Sequence, residues 1–394
     1  MSASFRSHWS LDPEVIFLNH GSFGACPTAV LQRQSELRAR LEAEPVRFLH
    51  REIEPLLDDA RAALAAFLDA DADDLGFVPN ATAGVSTVLR SLRFAPGDEL
   101  LTTDHEYNAS RNALDFVASQ WGAKVVVAKL PWPVPSARAV VDAVLSHVTP
   151  RTRLFLVDHV SSQTALVMPL ASLVTAMRER GVETLVDGAH GPGMLPLSLR
   201  TLGAGYYTGN CHKWLCAPKG AAFLHVRREL QPAIKPLAIS HGHNSRRTDR
   251  SRFRLDFDWT GTHDPSAVLC VPEAIRVVGG MLPGGWPEVM ASNRAKALAA
   301  QNMLCARLGS QPACPEDMVG SMATVGLPDG FPEAPEPPLS VDPLHLRLFD
   351  AYRIEAQITP WPRPPHRHVR ISAQLYNTPA DYEALGDALE ALLR

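Results

Sequence analysis

No uninterrupted apolar run in this chain approaches the roughly 20 residues that a bilayer-spanning helix needs. The opening residues, MSASFRSHWSLDPEV, lack the apolar centre of a secretory signal. Cysteine is scarce: the six, at 26, 211, 216, 270, 305 and 314, form no Cys-x-x-Cys pair and no zinc spacing. Reduced thiols in a cytoplasmic protein, with no metal site and no membrane partner, are the expectation. Charge of one sign is also lacking, since 38 Lys and Arg stand against 42 Asp and Glu. No basic cluster is interleaved with aromatics, so nucleic acid is not an expected partner. There is no internal repeat.

What remains is the composition of a globular protein, 46% hydrophobic and 20% charged over 394 residues. That length exceeds one ordinary core and predicts a large and a small domain. Prolines number 33 and are scattered, apart from Leu130 to Pro135 and a surface loop expected from Pro328 to Pro338.

The chemistry concentrates between Glu183 and Lys219. A short buried-strand pattern, Thr184-Leu185-Val186, reaches Asp187, and a Gly-Ala-His-Gly turn follows with His190 in it. A second strand, Gly205 to Thr208, delivers Asn210, His212 and Lys213 into a loop closed by Pro218 and Gly220. Taken singly, such an acid reads as a cap or turn former, and such a lysine as solvated. Together, at successive strand ends with a histidine beside each, they suit a cofactor with one basic nitrogen and one aldehyde. Pyridoxal phosphate (PLP) is such a cofactor, and it stabilises a carbanion at an amino acid's alpha carbon.

Along the chain, Val15 to Leu18 reads as a strand leading to Asn19-His20-Gly21-Ser22-Phe23-Gly24, a loop permissive of close ligand approach. Helices are expected from Pro27 to about Glu44 and from Pro55 to Asp69. Strand Leu75 to Val78 precedes a small-residue turn, Asn80 to Gly84, and a helix from Val85. Free N–H groups at such a helix start suit a phosphate, with Thr82 and Ala83 in the turn. Strand Glu99 to Thr103 ends at Asp104-His105-Glu106-Tyr107-Asn108, ahead of a helix expected from Ala113 to Trp121. Either Tyr107 or His105 is placed to cover one face of an aromatic ligand. Strand Arg153 to Asp158 ends in a loop carrying Ser162 and Thr164. Repeated strand–helix units predict a mostly parallel α/β sheet with ligands at the strands' carboxyl ends. A polar, Arg/His-rich stretch from His241 to Arg254 reads as a mobile or intersubunit loop. One helix is expected from Pro265 to Val278 and another from Pro287 to Leu308, leading to a small α+β domain.

LNHGSFGACP, EPVRFLHREIEPLL, DHEYN, VDGAHGPG, NCHKW, RIEAQITP and VRISAQLYNTPADY extend nearly end to end. In these stretches the sequence resembles the class V (cysteine desulfurase-like) PLP enzymes, and most of all their isopenicillin N epimerase group. The resemblance implies the aspartate aminotransferase-like type I fold. It divides the chain into an N-terminal segment, 1–25, a large PLP-binding domain, 26–264, and a small C-terminal domain, 265–394. It makes Lys213 the Schiff-base lysine, Asp187 the pyridine-nitrogen partner and His190 a contact to the ring or its oxygen. Thr82, Ala83, Asn210 and His212 fall at the phosphate, and Ser162 and Thr164 near the phenolic oxygen. Thr262 would reach the phosphate from the other subunit of a homodimer. Arg370 would bind the substrate carboxylate, with Asn19 and His20 lining the same side.

Three departures from the family pattern stand out, one of them Thr164-Ala165 where the usual pair is Thr-Gly. The usual Ser-Gly before His-Lys is Asn210-Cys211, and no Cys lies between Ile354 and Arg370, where desulfurases carry their nucleophile. Persulfide chemistry is therefore not expected. An epimerase acting on an amino acid or an amino-acid-containing peptide is the first expectation, and a C–S lyase or aminotransferase the second. A non-catalytic relative is a third, disfavoured by the intact Asp187/Lys213 pair. Fold alone does not choose among them.

Overall fold

Leu154-Phe155-Leu156-Val157 is an unbroken apolar run, the pattern of a strand covered on both faces. In the computed structural model, which describes residues 5–330 and 342–394, it forms an interior strand of a central sheet. The strands are β1 (Ile16–Phe17), β2 (Leu75–Val78), β3 (Glu99–Thr103), β4 (Lys124–Ala128), β5 (Thr152–Asp158) and β6 (Glu183–Asp187). They continue as β7 (Tyr206–Asn210), β8 (Ala222–Val226), β9 (Met322–Leu327), β10 (Ile354–Glu355), β11 (Gln357–Pro360) and β12 (Arg367–Ser372).

Seven of them form one sheet in the order β2-β8-β7-β6-β5-β3-β4, with β3 to β7 parallel and β8 antiparallel to both neighbours. The carboxyl ends of β3, β5, β6 and β7 therefore open on the same edge, where sheets of this kind bind ligands. Register sharpens the point. Asp158 stands opposite Asp187, and Asp187 opposite Thr208. One face of the sheet packs on Val30, Leu57, Leu64 and Leu173, the other on Val85, Val88, Leu114 and Phe257.

A second core lies around the antiparallel sheet β11-β12-β9, filled by Leu304, Val325, Ile358, Val369 and Leu385. Burying a side chain of this size contributes about 1.5–3 kcal/mol, so each core can hold its own layer of elements together. The chain's start belongs to this second core as well. Strand β1 pairs in parallel with β10, and Leu18 is fully buried there.

Several boundaries differ from the sequence reading. The helix expected from Val85 starts at Ala81, because the Asn80 side chain accepts the Ala83 N–H at 2.9 Å and so caps it four residues earlier. The helix expected from Ala113 starts at Asn108. Its first turn carries polar residues toward the site, so apolar periodicity begins only one turn later. The expected Pro265-to-Val278 helix is two, Ser266–Leu269 and Val271–Gly279. Both pack into the larger core through Val268, Val271 and Ala274. We accordingly propose a domain boundary near Gly284, at the start of the long helix Gly285–Leu308, rather than at 264.

The stretch read as a mobile or intersubunit loop is held down by contacts within this chain. Arg247 pairs with Glu54 at 2.5 Å, Arg250 with Asp58 at 2.8 Å, and Arg254 also reaches Asp58. It continues into the helix Arg252–Phe257, whose Phe253 and Phe257 are buried. Of the expected Pro328-to-Pro338 loop, 331–338 lie outside the described residues. Among the described residues no helix is long and apolar enough to cross a membrane.

Candidate active site

Lys213 sits just past the end of β7 in a turn that is largely shielded from water. Burial, with the Arg370 guanidinium as the next cause, lowers its pKa to about 7, and Asp187 and Asp158 oppose the shift only in part. A lysine so held has a substantial uncharged, nucleophilic fraction near neutral pH, where an ordinary lysine has almost none. Its Nζ lies 3.1 Å from His190 Nε2.

The bond on the other side of that imidazole settles the tautomer. Trp214 Nε1–H donates to His190 Nδ1 at 3.2 Å, and an indole nitrogen can only donate. Burial holds His190 neutral, with its pKa well below the ordinary value. The single ring proton is therefore on Nε2, pointing at the Lys213 amine.

Asp187, at the end of β6, is buried and accepts from Ser110 Oγ at 2.7 Å and from the Ala189 N–H at 3.1 Å. Burial raises its pKa, and these two donors oppose the rise. Around it stand two acids that the sequence reading did not select. One carboxylate oxygen each from Glu106, Asp158 and Asp187 lies within 4.8 Å of the other two. Asp158 had a visible signal, because Leu156-Val157-Asp158 and Leu185-Val186-Asp187 repeat the same three residues at adjacent strand ends. Glu106 had none.

Asn210 turns inward from β7, and its Oδ1 accepts the Ala81 N–H at 2.9 Å. It thus holds the first turn of the Ala81–Ser91 helix in place. The Ala83 N–H is taken by the Asn80 cap, while that of Thr82 has no intrahelical acceptor. The helix comes close to β7 because Gly84 has no side chain: a Cβ there would overlap Thr208. A helix N-terminus with an available N–H and a Thr82 hydroxyl is a cradle that fits a phosphate. His212 is partly buried, its Nδ1 3.1 Å from the Ala221 carbonyl.

Arg370, on β12 of the small domain, is 2% exposed. Its partners are neutral: Ser162 through its carbonyl, Asn19 Oδ1 at 3.1 Å, Ser22 Oγ at 2.8 Å and Gln357 Oε1 at 3.4 Å. Burial lowers its pKa to about 10. Among the described residues no carboxylate is within ion-pair distance of it, so the guanidinium is held in place while its charge stays unmatched. Asn19 and Ser162 thus come to Arg370, and Ser22 and Gln357 join them as supports that the sequence did not reveal.

The remaining expected residues separate. His105 is buried against Trp132 and Trp361, with Nδ1 2.7 Å from Thr164 Oγ1. Thr164 is bonded in turn to Ser161 Oγ at 2.6 Å. Their polar groups face each other, which leaves Tyr107, 43% exposed, as the aromatic on the open side of that loop. His20 is fully buried behind the lysine turn, with Nδ1 2.9 Å from Tyr376 OH and Nε2 3.1 Å from the Lys213 carbonyl. That position supports Lys213 and offers no ring nitrogen to a substrate. Thr262 is not brought to Lys213 within this chain. It lines a separate groove with Pro79, Lys219 and Asp264.

A largely shielded lysine of lowered pKa beside a neutral histidine, an acid with two donors and an open helix N-terminus fit a pyridoxal phosphate-dependent enzyme of fold type I. The family description Aminotransferase class-V matches residues 16–304, and the chain belongs to that family. It is 35% identical to the isopenicillin N epimerase of Streptomyces clavuligerus, over 98% of this chain and 97% of that protein. With the isopenicillin N epimerase of Amycolatopsis lactamdurans the identity is 36%, over 99% and 98%. A probable chloroplastic L-cysteine desulfhydrase of Arabidopsis thaliana is 32% identical, over 100% and 86%. Among solved structures, the cysteine desulfurase CsdA of Escherichia coli superposes with a TM-score of 0.80 at 22% identity, covering 99% and 98%. The cystine C–S lyase C-DES gives 0.79 at 21%, covering 96% and 97%. At such identities the structural likeness concerns the fold.

Proposed function

We propose that this enzyme moves the alpha proton of an amino acid, or of the amino-acid end of a peptide, as an isopenicillin N epimerase-type epimerase. The observation that carries the reading is the pairing of Lys213 and His190 3.1 Å apart, with Arg370 left without a carboxylate in the same pocket. The cofactor, when bound, supplies the electron sink for a carbanion at the alpha carbon. The chain supplies the rest. Arg370 takes the substrate carboxylate in a two-pronged bond. Asp187 would keep a proton on the pyridine nitrogen and Tyr107 would cover the ring, while Thr82, Asn210 and His212, with the capped turn at Ala83, would hold the phosphate. Lys213, poised between its charged and uncharged forms near pH 7, accepts or returns the alpha proton, and the Nε2–H of His190 orients its amine.

Cysteine placement argues against persulfide chemistry. Five of the six thiols are buried, and none lies on the stretch between β10 and Arg370. A C–S lyase activity is the second reading, supported by the desulfhydrase relative covering the whole chain. It starts from the same proton removal and differs in expelling a beta leaving group. We further propose a cytoplasmic homodimer in which each subunit lends Thr262 to the other's phosphate.

A panel of amino acids incubated in deuterated water separates the readings. Deuterium at the alpha carbon with loss of chirality, and with no sulfide or keto acid, is expected. Stoichiometric sulfide and pyruvate from L-cysteine would establish the lyase instead.

A further inference from the structure

Three carboxylates meet beneath the site, and the surroundings treat them unequally. Asp187 has donors for both oxygens, in Ser110 Oγ and the Ala189 N–H. Glu106 and Asp158 do not. Thr102 Oγ1 donates to Glu106 Oε2 at 3.2 Å, and the Tyr107 N–H faces both acids. Glu106 Oε1 and Asp158 Oδ2 are left buried with no hydrogen-bond partner.

The strands make this arrangement unavoidable. Asp158 is Asp187's register partner on the adjacent parallel strand, so both side chains leave the same face of the sheet. Glu106 enters from the loop after β3 and closes the group, with one oxygen of each acid within 4.8 Å of the other two. The nearby cations are Arg111, which acts on Glu106, and Lys213, which acts on Asp158 and Asp187. Lys213 itself carries its charge only about half of the time at neutral pH. Three buried negative charges at this spacing, with so little compensation, are not sustainable, and one acid must keep its proton.

We propose that Glu106 and Asp158 share one proton, forming a singly charged acid pair whose negative charge backs Asp187 and strengthens its hold on a protonated cofactor nitrogen. The O–H of one carboxyl donates to the carboxylate of the other, so each orphaned oxygen acquires a partner and no proton leaves the site. Burial, with the neighbouring acids next, pushes both groups well above the usual carboxylate range, in the direction this requires. The part concerning the cofactor rests on Asp187 being its nitrogen partner. The shared proton does not.

The test uses full-length holoenzyme with Glu106→Gln and Asp158→Asn, singly and combined. The infrared difference spectrum at neutral pH is expected to show the carbonyl stretch of a protonated carboxylic acid, absent from either single variant. Each single variant keeps one negative charge, so its PLP dissociation constant, read by fluorescence titration, should rise less than about threefold. The double variant loses that charge and should bind PLP about tenfold more weakly, the equivalent of one pKa unit. Absence of the acid stretch from the wild type overturns the proposal, as does equal loss of affinity in the single and double variants. A stoichiometric divalent cation that the double variant loses also overturns it, since three carboxylates are a hard-cation ligand set. If Asp187→Asn leaves PLP affinity unchanged while the acid stretch persists, the cofactor role of Asp187 falls and the shared proton stands.

Discussion

Gly24 and Lys213 occupy what would otherwise be the same space. A Cβ on Gly24 would lie 2.9 Å from Lys213 Cα and would overlap the His212 carbonyl oxygen. Gly24 also has a φ of 71°, in the left-handed region that side chains avoid. The glycine lets the N-terminal loop press against the backbone that carries the reactive lysine. Gly24→Ala is therefore expected to cost about 1–3 kcal/mol of stability. Cofactor content per chain, measured with the thermal midpoint, should fall along with it. A variant with wild-type melting and full PLP content would show that the contact does not matter.

Lys213 makes the cofactor-free protein sensitive to pH in a particular direction. Its folded pKa, about 7, lies below the ordinary 10.5, so over that window the unfolded chain binds a proton that the folded one does not. Stability from this group is therefore lowest below pH 7 and rises as pH climbs toward 10.5, by at most about 1.4 kcal/mol per pH unit. Urea titrations of cofactor-free wild type and Lys213→Met between pH 7 and 9 should diverge in slope, with the variant flatter. Parallel curves would mean that Lys213 is protonated when buried. In the holoenzyme, Lys213→Ala should abolish the covalent cofactor link that borohydride traps.

Trp214→Phe removes the donor that pins the His190 proton. The ring can then place its proton on either nitrogen, and the lysine amine loses an oriented donor for part of the time. Turnover is expected to fall about tenfold, within the range for a mispositioned proton-transfer group, while KM changes little. Equal turnover in Trp214→Phe would show that the tautomer is held by something else.

Arg370→Lys keeps the charge but loses the fork. Amino-acid binding should weaken by roughly 1.5–3 kcal/mol, the worth of a charge-assisted bond. Amines without a carboxylate should bind wild type poorly and lose little more. The resting absorbance spectrum should be unchanged. Equal losses for both ligand types would place Arg370 in the framework, between Ser162 and Gln357, and away from the substrate.

The alternating strand–helix pattern and the order Asp187, His190, Lys213 were legible because each depends on neighbours in sequence. A buried strand announces itself by its own residues, and a strand-end acid by where the apolar run stops. His20 reads equally well as a pocket residue or as a support, and only its bonds to Tyr376 and the Lys213 carbonyl decide the matter. The acid pair depends on register and on a loop from a third strand, neither of which is encoded locally. Helix starts at Ala81 and Asn108 came earlier than periodicity suggests, because functional first turns carry polar residues where a pattern search looks for apolar ones.

The pairing of β1 with β10 has a consequence for when the enzyme becomes complete during its own synthesis. Ile16 aligns with Ile354, the Leu18 N–H bonds to the Glu355 carbonyl at 2.9 Å, and His20 bonds to Tyr376. The segment that presses on the lysine turn leaves the ribosome long before its partners on β10 and beyond. The large sheet can assemble as it emerges, but its reactive lysine stays unbraced until β10 and Tyr376 have followed. Chains truncated before residue 354 are therefore expected to emerge colourless however well their central sheet has formed.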